Sequence, residues 1–421
     1  MDMDMIEPLI DVQPSNTNTS IIKVIGVGGG GGNAVNHMYR EGIHDVTFVV
    51  CNTDSKALAD SPVPTRLQLG HEGLGAGNNP KRAQKAAEES LEDIHHMLND
   101  GTKMVFITAG MGGGTGTGAA PIIAREAKAM GILTVGIVTI PFLFEGNMKI
   151  DQALDGVEEI AQHVDALLVI NNERLREIYP ELNVLSAFQR ADNTLSVAAR
   201  SIAEIITMHG VINLDFRDVC TVLKDGGVAI MSTGYAEGEE RVTRALEEAL
   251  HSPLLNNTDI FDSRKVLLSI SFCSDDEGDT LMMEEMNEVH EFMSKFRDDV
   301  ETKWGLSIDP NLGKKIKITL LATGFGMSAV PGMQKKLDDA AEAAKQRSEE
   351  EAYEAANRRA VFYPADSQRG TMRRIFRTYT FDLKDLDNEE VISMVELSPT
   401  YKRSKELLEQ IRQQAQANNA N

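Results

Sequence analysis

A chain of 421 residues with a 42% hydrophobic fraction has apolar side chains enough for two ordinary domains and further segments. Its formal charge of −22, from 64 acidic against 42 basic side chains, opposes a phosphate backbone and an anionic bilayer alike. A nucleic-acid role is therefore not expected. Three cysteines, Cys51, Cys220 and Cys273, stand far apart without a CxxC pair, against both a zinc ribbon and a secreted disulfide framework.

In chain order, residues 1–20 form a polar, acidic arm with no apolar run, expected to be disordered and not read as a secretory signal. From Ile21, apolar runs alternate with helical stretches. The strand candidates are 21–27, 46–51, 103–109, 133–140 and 166–170, and the helix candidates are 33–40, 81–98, 119–130 and 150–163. Strand–helix alternation of this kind predicts a doubly wound, parallel α/β sheet. Leu195, Ala198, Ala199, Ile202, Ile205 and Ile206 then recur at three-to-four spacing, predicting a long, largely buried helix over 184–209. Strands at 228–234, 265–273 and 315–323 with helices at 238–250 and 279–300 predict a second, smaller α/β domain. Residues 334–360 are rich in Ala, Glu, Lys and Arg and are expected to lack a core of their own. No run approaches 18 apolar residues, so any membrane link is expected to run through a partner.

Two glycine-rich loops each follow a predicted strand and precede a helix: Gly28-Gly29-Gly30-Gly31-Gly32-Asn33 and Gly112-Gly113-Gly114-Thr115-Gly116-Thr117-Gly118. Glycines let the backbone turn tightly and approach a ligand, and the following helix offers unpaired N–H groups and a positive dipole end to an anion. Thr115 and Thr117 add hydroxyls. One such loop also arises from a tight turn or from close helix–strand packing; two on neighbouring strands suit a polyphosphate. The first loop also satisfies G-x-G-x-x-G through Gly26, Gly28 and Gly31, the dinucleotide-binding pattern. That pattern wants an acid about 20 residues on, whereas Asp54 lies 28 residues after Gly26, and a dinucleotide needs no second glycine loop. Neither loop ends in Gly-Lys-Ser/Thr, so a Walker loop is excluded.

The second loop, GGGTGTG, matches the signature of the tubulin/FtsZ GTPase family, and the resemblance runs through nearly all of 21–330. It includes GVGGGGGNAV (26–35), CNTDSKAL (51–58), GLGAGNNP (73–80), PFLFEG (141–146), FQRADN (188–193) and NLDFRDV (213–219). The resemblance implies a GTP-binding domain over 21–183, a central helix and synergy loop over 184–224, a C-terminal activation domain over 225–330, and a linker and tail over 331–421. It implies GTP and GDP as ligands, with Mg2+ held mainly by phosphate oxygens and water; no metal ligands are specified.

Residue by residue, Phe188 and Asp192 sit at i, i+4 and share a helix face. Taken alone they read as a core Phe beside a surface Asp; the resemblance makes them guanine contacts. A carboxylate there accepts N1–H and N2–H2, which adenine does not offer. Asn172 is similarly implied to touch the base, Glu145 the ribose, and Ala76 and Gly77 the γ-phosphate. Lys149 takes the place of a basic residue near the nucleotide. The sequence departs from the family at Asn147-Met148-Lys149, where one positive charge remains, and at Asn78, where Ala is common.

Asp215 reads as an N-cap with Asp218 in the first turn, or as part of a synergy loop. Neither glycine loop carries a carboxylate or His to orient water. The resemblance implies that Asp215 and Asp218, assisted by Asn213, complete the nucleotide site of the next subunit. Residues 396–403 loosely resemble the family's peptide for membrane-anchor proteins, with Lys402 where an apolar residue is usual. The leading expectation is a cytoplasmic GTPase that polymerises head to tail at the mid-cell division site. The alternatives are a GTP-binding relative that regulates assembly or shape without building the ring, and a Rossmann oxidoreductase.

Overall fold

A computed structural model describes residues 20–330, apart from 44, 209, 252–259, 275–279 and 298, and also Met333 and Ile392. The first half alternates as the apolar pattern predicts, with α2 and β3 in addition and α1 and α5 starting earlier, at the glycine loops: β1 (Ile22–Val27), α1 (Gly28–Arg40), β2 (Thr47–Asn52), α2 (Ser55–Ala59), β3 (Thr65–Gln68), α3 (Pro80–Glu89), α4 (Leu91–Leu98), β4 (Met104–Gly110), α5 (Thr115–Ala129), β5 (Leu133–Ile140), α6 (Asn147–Ala161) and β6 (Ala166–Asn171). After α7 (Asn172–Ile178) comes the long helix α8 (Val184–Thr207), then β7 (Gly210–Ile212) and α9 (Phe216–Leu223). The remainder is β8 (Gly227–Glu237), α10 (Arg241–Leu250), β9 (Lys265–Phe272), α11 (Met286–Met293), β10 (Glu301–Ile308) and β11 (Lys315–Phe325).

Among the described residues, eleven strands join one sheet in the order β3-β2-β1-β4-β5-β6-β8-β11-β9-β10-β7. The first six pair in parallel, and β8 continues the sheet by pairing in parallel with β6 from Ala166↔Gly227. β11 runs antiparallel to both β8 and β9. The two predicted α/β halves therefore share a sheet. Successive side chains of a strand point to opposite faces, and β1 divides accordingly. Ile25 and Val27 pack with α5 residues such as Ile123 on one face; Ile22 and Val24 pack with Val35 and Ile202 of α1 and α8 on the other.

Several boundaries move. The helix predicted over 81–98 breaks at Ser90, whose φ of −107° and ψ of 19° are not helical and whose Oγ accepts from the Gly70 amide at 2.9 Å. In the stretch predicted as a helix over 279–300, the described helix is α11, Met286–Met293. Met333 is fully buried in the core, three residues past the expected domain boundary at 330. Among the described residues no helix is long and apolar enough to cross a membrane. The tail motif at 396–403 lies outside the described residues.

Candidate nucleotide site

The order β3-β2-β1-4-5-6 reverses direction between β1 and β4, which are hydrogen-bonded neighbours. In open α/β sheets ligands bind at the carboxyl ends of the strands at such a switch point. Both glycine loops leave from there. β1 passes straight into α1, whose opening residues are Gly28 to Asn33, and β4 passes through Met111 to Gly114 into α5. Gly29, Gly30 and Asn33 are exposed, and Gly113 and Thr115 are partly exposed, while Gly28, Gly31 and Gly32 are buried.

The glycines divide by role. A Cβ on Gly31 would stand 2.1 Å from Thr108 O, one on Gly116 2.5 Å from Gly110 O, and one on Gly118 2.0 Å from Pro80 O. These three are small because backbones pack there. A Cβ on Gly29 or Gly113 meets nothing within 4 Å, so open space lies over the two turns. Gly112 adopts φ +92°, a left-handed conformation that L side chains resist. A Cβ on Gly114 would stand 2.8 Å from the Ala76 Cβ and 2.9 Å from Asn79 N, which brings the Ala76–Gly77 turn against the second loop.

The hydroxyls are engaged. The Thr115 and Thr53 Oγ1 atoms lie 2.7 Å apart, and Thr117 Oγ1 accepts from the Gly112 amide at 2.9 Å. Thr117 is buried, so its hydroxyl shapes the loop from within. Gln152, which the sequence reading missed, donates to the carbonyls of Gly112 at 3.1 Å and Gly113 at 3.0 Å. The available signal was its i+3 spacing from Lys149, which places both on one face of α6.

Around the same edge stand the predicted base and ribose residues. Glu145 accepts from the Phe142 amide at 3.0 Å, and its other oxygen lies 3.3 Å from Lys149 Nζ. Lys149 thus spends its charge on Glu145. Asn172 follows β6 directly; it is buried, and among the described residues its Oδ1 has no hydrogen-bond partner. A buried unpaired acceptor costs free energy unless a donor arrives, which fits a base amine or imine. Phe188 and Asp192 lie near the start of α8. The Phe188 ring packs edge-on against Phe142 (5.2 Å between centroids) and Phe144 (6.3 Å) and remains partly exposed. Burial pushes the Asp192 carboxyl up to about 6. A half-buried carboxylate, raised by burial alone, fits guanine as a double donor.

Asp215 and Asp218 lie elsewhere. α8 runs parallel to α1: Ser196 Oγ stands 3.5 Å from Ala34 O, and, one turn on, Arg200 pairs with Glu41 past the end of α1. Both helices lead away from the carboxyl edge. The 15 residue steps from Asp192 to Thr207 rise roughly 22 Å. Beyond them come β7 and α9, and the chain returns to the amino end of β6, where the Gly226 amide donates to Asp165 O at 2.9 Å. The structure therefore does not bring Asn213, Asp215 and Asp218 together with the glycine loops; they occupy the far end of α8. Asp215 caps α9: the Asp218 amide donates to Asp215 Oδ1 at 2.8 Å, and the Asp215 amide to Asp218 Oδ2 at 3.2 Å. Asn213 Oδ1 accepts from the Gly210 amide at 2.7 Å. Lys303 Nζ lies 3.0 Å from Asp218 Oδ1, an ion pair the sequence did not disclose. Its hydrogen bond holds the Asp218 carboxyl below its ordinary range against the opposing effect of burial, and the Asp215 amide assists.

Known families match much of the chain. The model of the Tubulin/FtsZ family GTPase domain matches residues 21–180, that of the FtsZ family C-terminal domain 227–326, and that of the FtsZ C-terminus 373–418. The chain is 50% identical over 400 residues to Cell division protein FtsZ of Porphyromonas gingivalis, covering 93% of this chain and 87% of that one. It is 45% identical over 326 residues to the protein of that name in Azotobacter vinelandii, covering 76% and 80%. An empty FtsZ dimer from M. jannaschii superposes with a TM-score of 0.66 at 39% identity, over 72% of this chain and 88% of that one. A GDP-bound CetZ1 monomer from Haloferax volcanii shares the fold at a TM-score of 0.66 and 20% identity, over 77% and 99%.

Proposed function

The chain belongs to the Tubulin/FtsZ family and is a tubulin-like GTPase of cell division, and from that premise we propose that it works as a head-to-tail polymer whose active sites form between subunits. The observation that carries this is the placement of the two halves. The glycine loops, Asn172 and Asp192 stand at the carboxyl edge of the sheet, and Asp215 and Asp218 follow the far end of α8. One edge offers a phosphate cradle without a water-orienting carboxylate; the other offers carboxylates without a cradle. A translated second copy supplies each with what it lacks.

Exposed apolar side chains support the same stacking. Leu74, Leu143, Phe144, Met148, Val184 and Leu185 are exposed around the cradle, and Val211 and Ile212 beside the Asp215 loop. Exposed apolar clusters of this kind mark association surfaces. In this reading Gly29, Gly30, Gly113 and the α1 and α5 amino ends hold the phosphates, Ala76 and Gly77 border the terminal one, Glu145 meets the ribose, and Phe188, Asp192 and Asn172 hold guanine. The Asp215 carboxylate of the incoming subunit orients the attacking water. Mg2+, when bound, neutralises the polyphosphate. It would be held mainly by phosphate oxygens and water. A cytoplasmic polymer at the mid-cell division site, joined to the membrane through an anchor protein on residues 396–403, completes the proposal.

The test is sedimentation and light scattering with GTP, GDP or a non-hydrolysable GTP analogue. Polymer should form with GTP and the analogue and disperse as GTP is consumed. A chain that binds GTP yet stays monomeric at every concentration would overturn the proposal and leave the regulator of assembly as the better reading.

A further inference from the structure

Lys303 lies in β10, outside every motif that the sequence singles out, yet it touches the carboxylate pair. Its Nζ stands 3.0 Å from Asp218 Oδ1, and Asp218 Oδ2 accepts from the Asp215 amide at 3.2 Å. Both oxygens of Asp218 are thereby engaged. Asp215 uses Oδ1 for the Asp218 amide, which leaves its Oδ2 for another partner. The strand is built to receive this loop. A Cβ on Gly305 would lie 2.6 Å from Leu214 Cγ and 2.9 Å from Ile212 O, so the missing side chain admits the residues that lead into Asp215. Position 303 is two residues away and shares that face of the strand. Gly305 seats the loop, and Lys303 clamps the helix that follows it.

We propose that Lys303 is a positioning residue for GTP hydrolysis: its ammonium fixes Asp218, Asp218 fixes the Asp215 amide, and the second oxygen of Asp215 is thereby presented to the neighbouring subunit's nucleotide. This rests on the reading that Asp215 and Asp218 complete that subunit's site. A partly exposed ion pair contributes little to stability, so the consequence of losing it falls on geometry. A carboxylate that must orient one water loses rate when its direction is free. Glu301, on the same strand face, and Asp215 also face the ammonium and keep it charged.

The experiment uses the full chain and four variants: Lys303→Met, Lys303→Arg, Asp218→Asn, and Asp218→Asn combined with Lys303→Met. Melting curves and sedimentation with a non-hydrolysable GTP analogue should match wild type for the Lys303 variants. For Lys303→Met, kcat should fall about 10-fold with KM for GTP little changed. Lys303→Arg should restore most of the rate, and adding Lys303→Met to Asp218→Asn should cost nothing further, because the lysine acts through that carboxylate. The proposal is overturned by a wild-type rate for Lys303→Met beside a slow Asp218→Asn, by failure of arginine to rescue, or by fully multiplicative losses. Wild-type rates for both Lys303→Met and Asp218→Asn would instead overturn the shared-site reading beneath it.

Discussion

Gly28 and Gly116 meet backbone to backbone: a Cβ built on Gly28, at φ +73°, would stand 2.8 Å from Gly116 N. The two glycine loops are thus one packed unit, and most of their glycines cannot be probed without disturbing it. Gly116→Ala would force a methyl to within 2.5 Å of Gly110 O and should destabilise the fold by about 1–3 kcal/mol. Gly113 is the informative position, because its Cβ meets nothing within 4 Å. Gly113→Ala should melt as wild type does yet bind GTP roughly 10-fold more weakly, as the methyl enters phosphate space. Calorimetry returning wild-type affinity would mean that the phosphates do not reach this turn.

Base selection should depend on pH. The Asp192 carboxyl is raised from 3.8 to about 6 by burial, and guanine requires the ionised form as acceptor. GTP affinity should therefore hold above pH 6 and fall by up to about tenfold per unit below it. Folding runs the other way. A carboxyl raised in the folded state contributes stability that is full below about 3.8 and lost as pH rises through about 6. Asp192→Asn should flatten the binding profile and lower the preference for GTP over ATP, expected to exceed ~100-fold in wild type. Titrations with both nucleotides from pH 5 to pH 8, read at about half-unit steps, check both statements; an unchanged profile in Asp192→Asn would assign the proton elsewhere.

The backbone at Asn78 gives a reason for its side chain. Its φ is +59°, next to Gly77 at +60°. Asn tolerates the left-handed region better than other side chains with a Cβ. Asn78→Ala should lower stability by about 1 kcal/mol, and Asn78→Gly should not. Thermal melts that ranked Ala above Gly would refute the strain argument.

Much of this was legible in the sequence, for identifiable reasons. β5 was placed to the residue because both its faces are buried, which leaves an unbroken apolar run. β3 (Thr-Arg-Leu-Gln) and β10 (Glu-Thr-Lys-Trp-Gly-Leu-Ser-Ile) lie toward the ends of the sheet and carry too little apolar contrast to stand out. The glycine loops were visible as motifs, but the split between glycines that pack and glycines that face open space depends on strands and turns distant in the chain. Asp215 and Asp218 could be read as a helix cap or as a catalytic loop. The capping box is present, and the same hydrogen bonds that cap α9 also orient the carboxylates, so the two readings are compatible. Lys303 was invisible because its partners are brought to it by tertiary folding, and Gln152 showed only its i+3 spacing from Lys149. A tail deletion should also begin after Met333, whose buried side chain belongs to the core.

The last expectation concerns sharing of the active site. If the cradle of one subunit works with the Asp215 and Asp218 of the next, specific GTPase activity must rise with protein concentration and vanish in dilute monomer. Asp215→Ala keeps the cradle intact and should bind GTP normally. It should hydrolyse roughly 100-fold more slowly, because the group that orients the water is gone, and its polymers should persist, since GTP remains at their interfaces. The substitution also removes the α9 cap, worth about 1 kcal/mol, so Asp215→Asn, which retains capping, serves as the control for folding. Gly113→Ala carries the complementary defect: a weakened cradle with an intact loop. In a mixture, contacts that pair the Asp215→Asn cradle with the Gly113→Ala loop are complete, and turnover should exceed the sum of the two variants alone. Rates that are independent of concentration, with mixtures that merely average their parts, would mean that each chain hydrolyses GTP by itself.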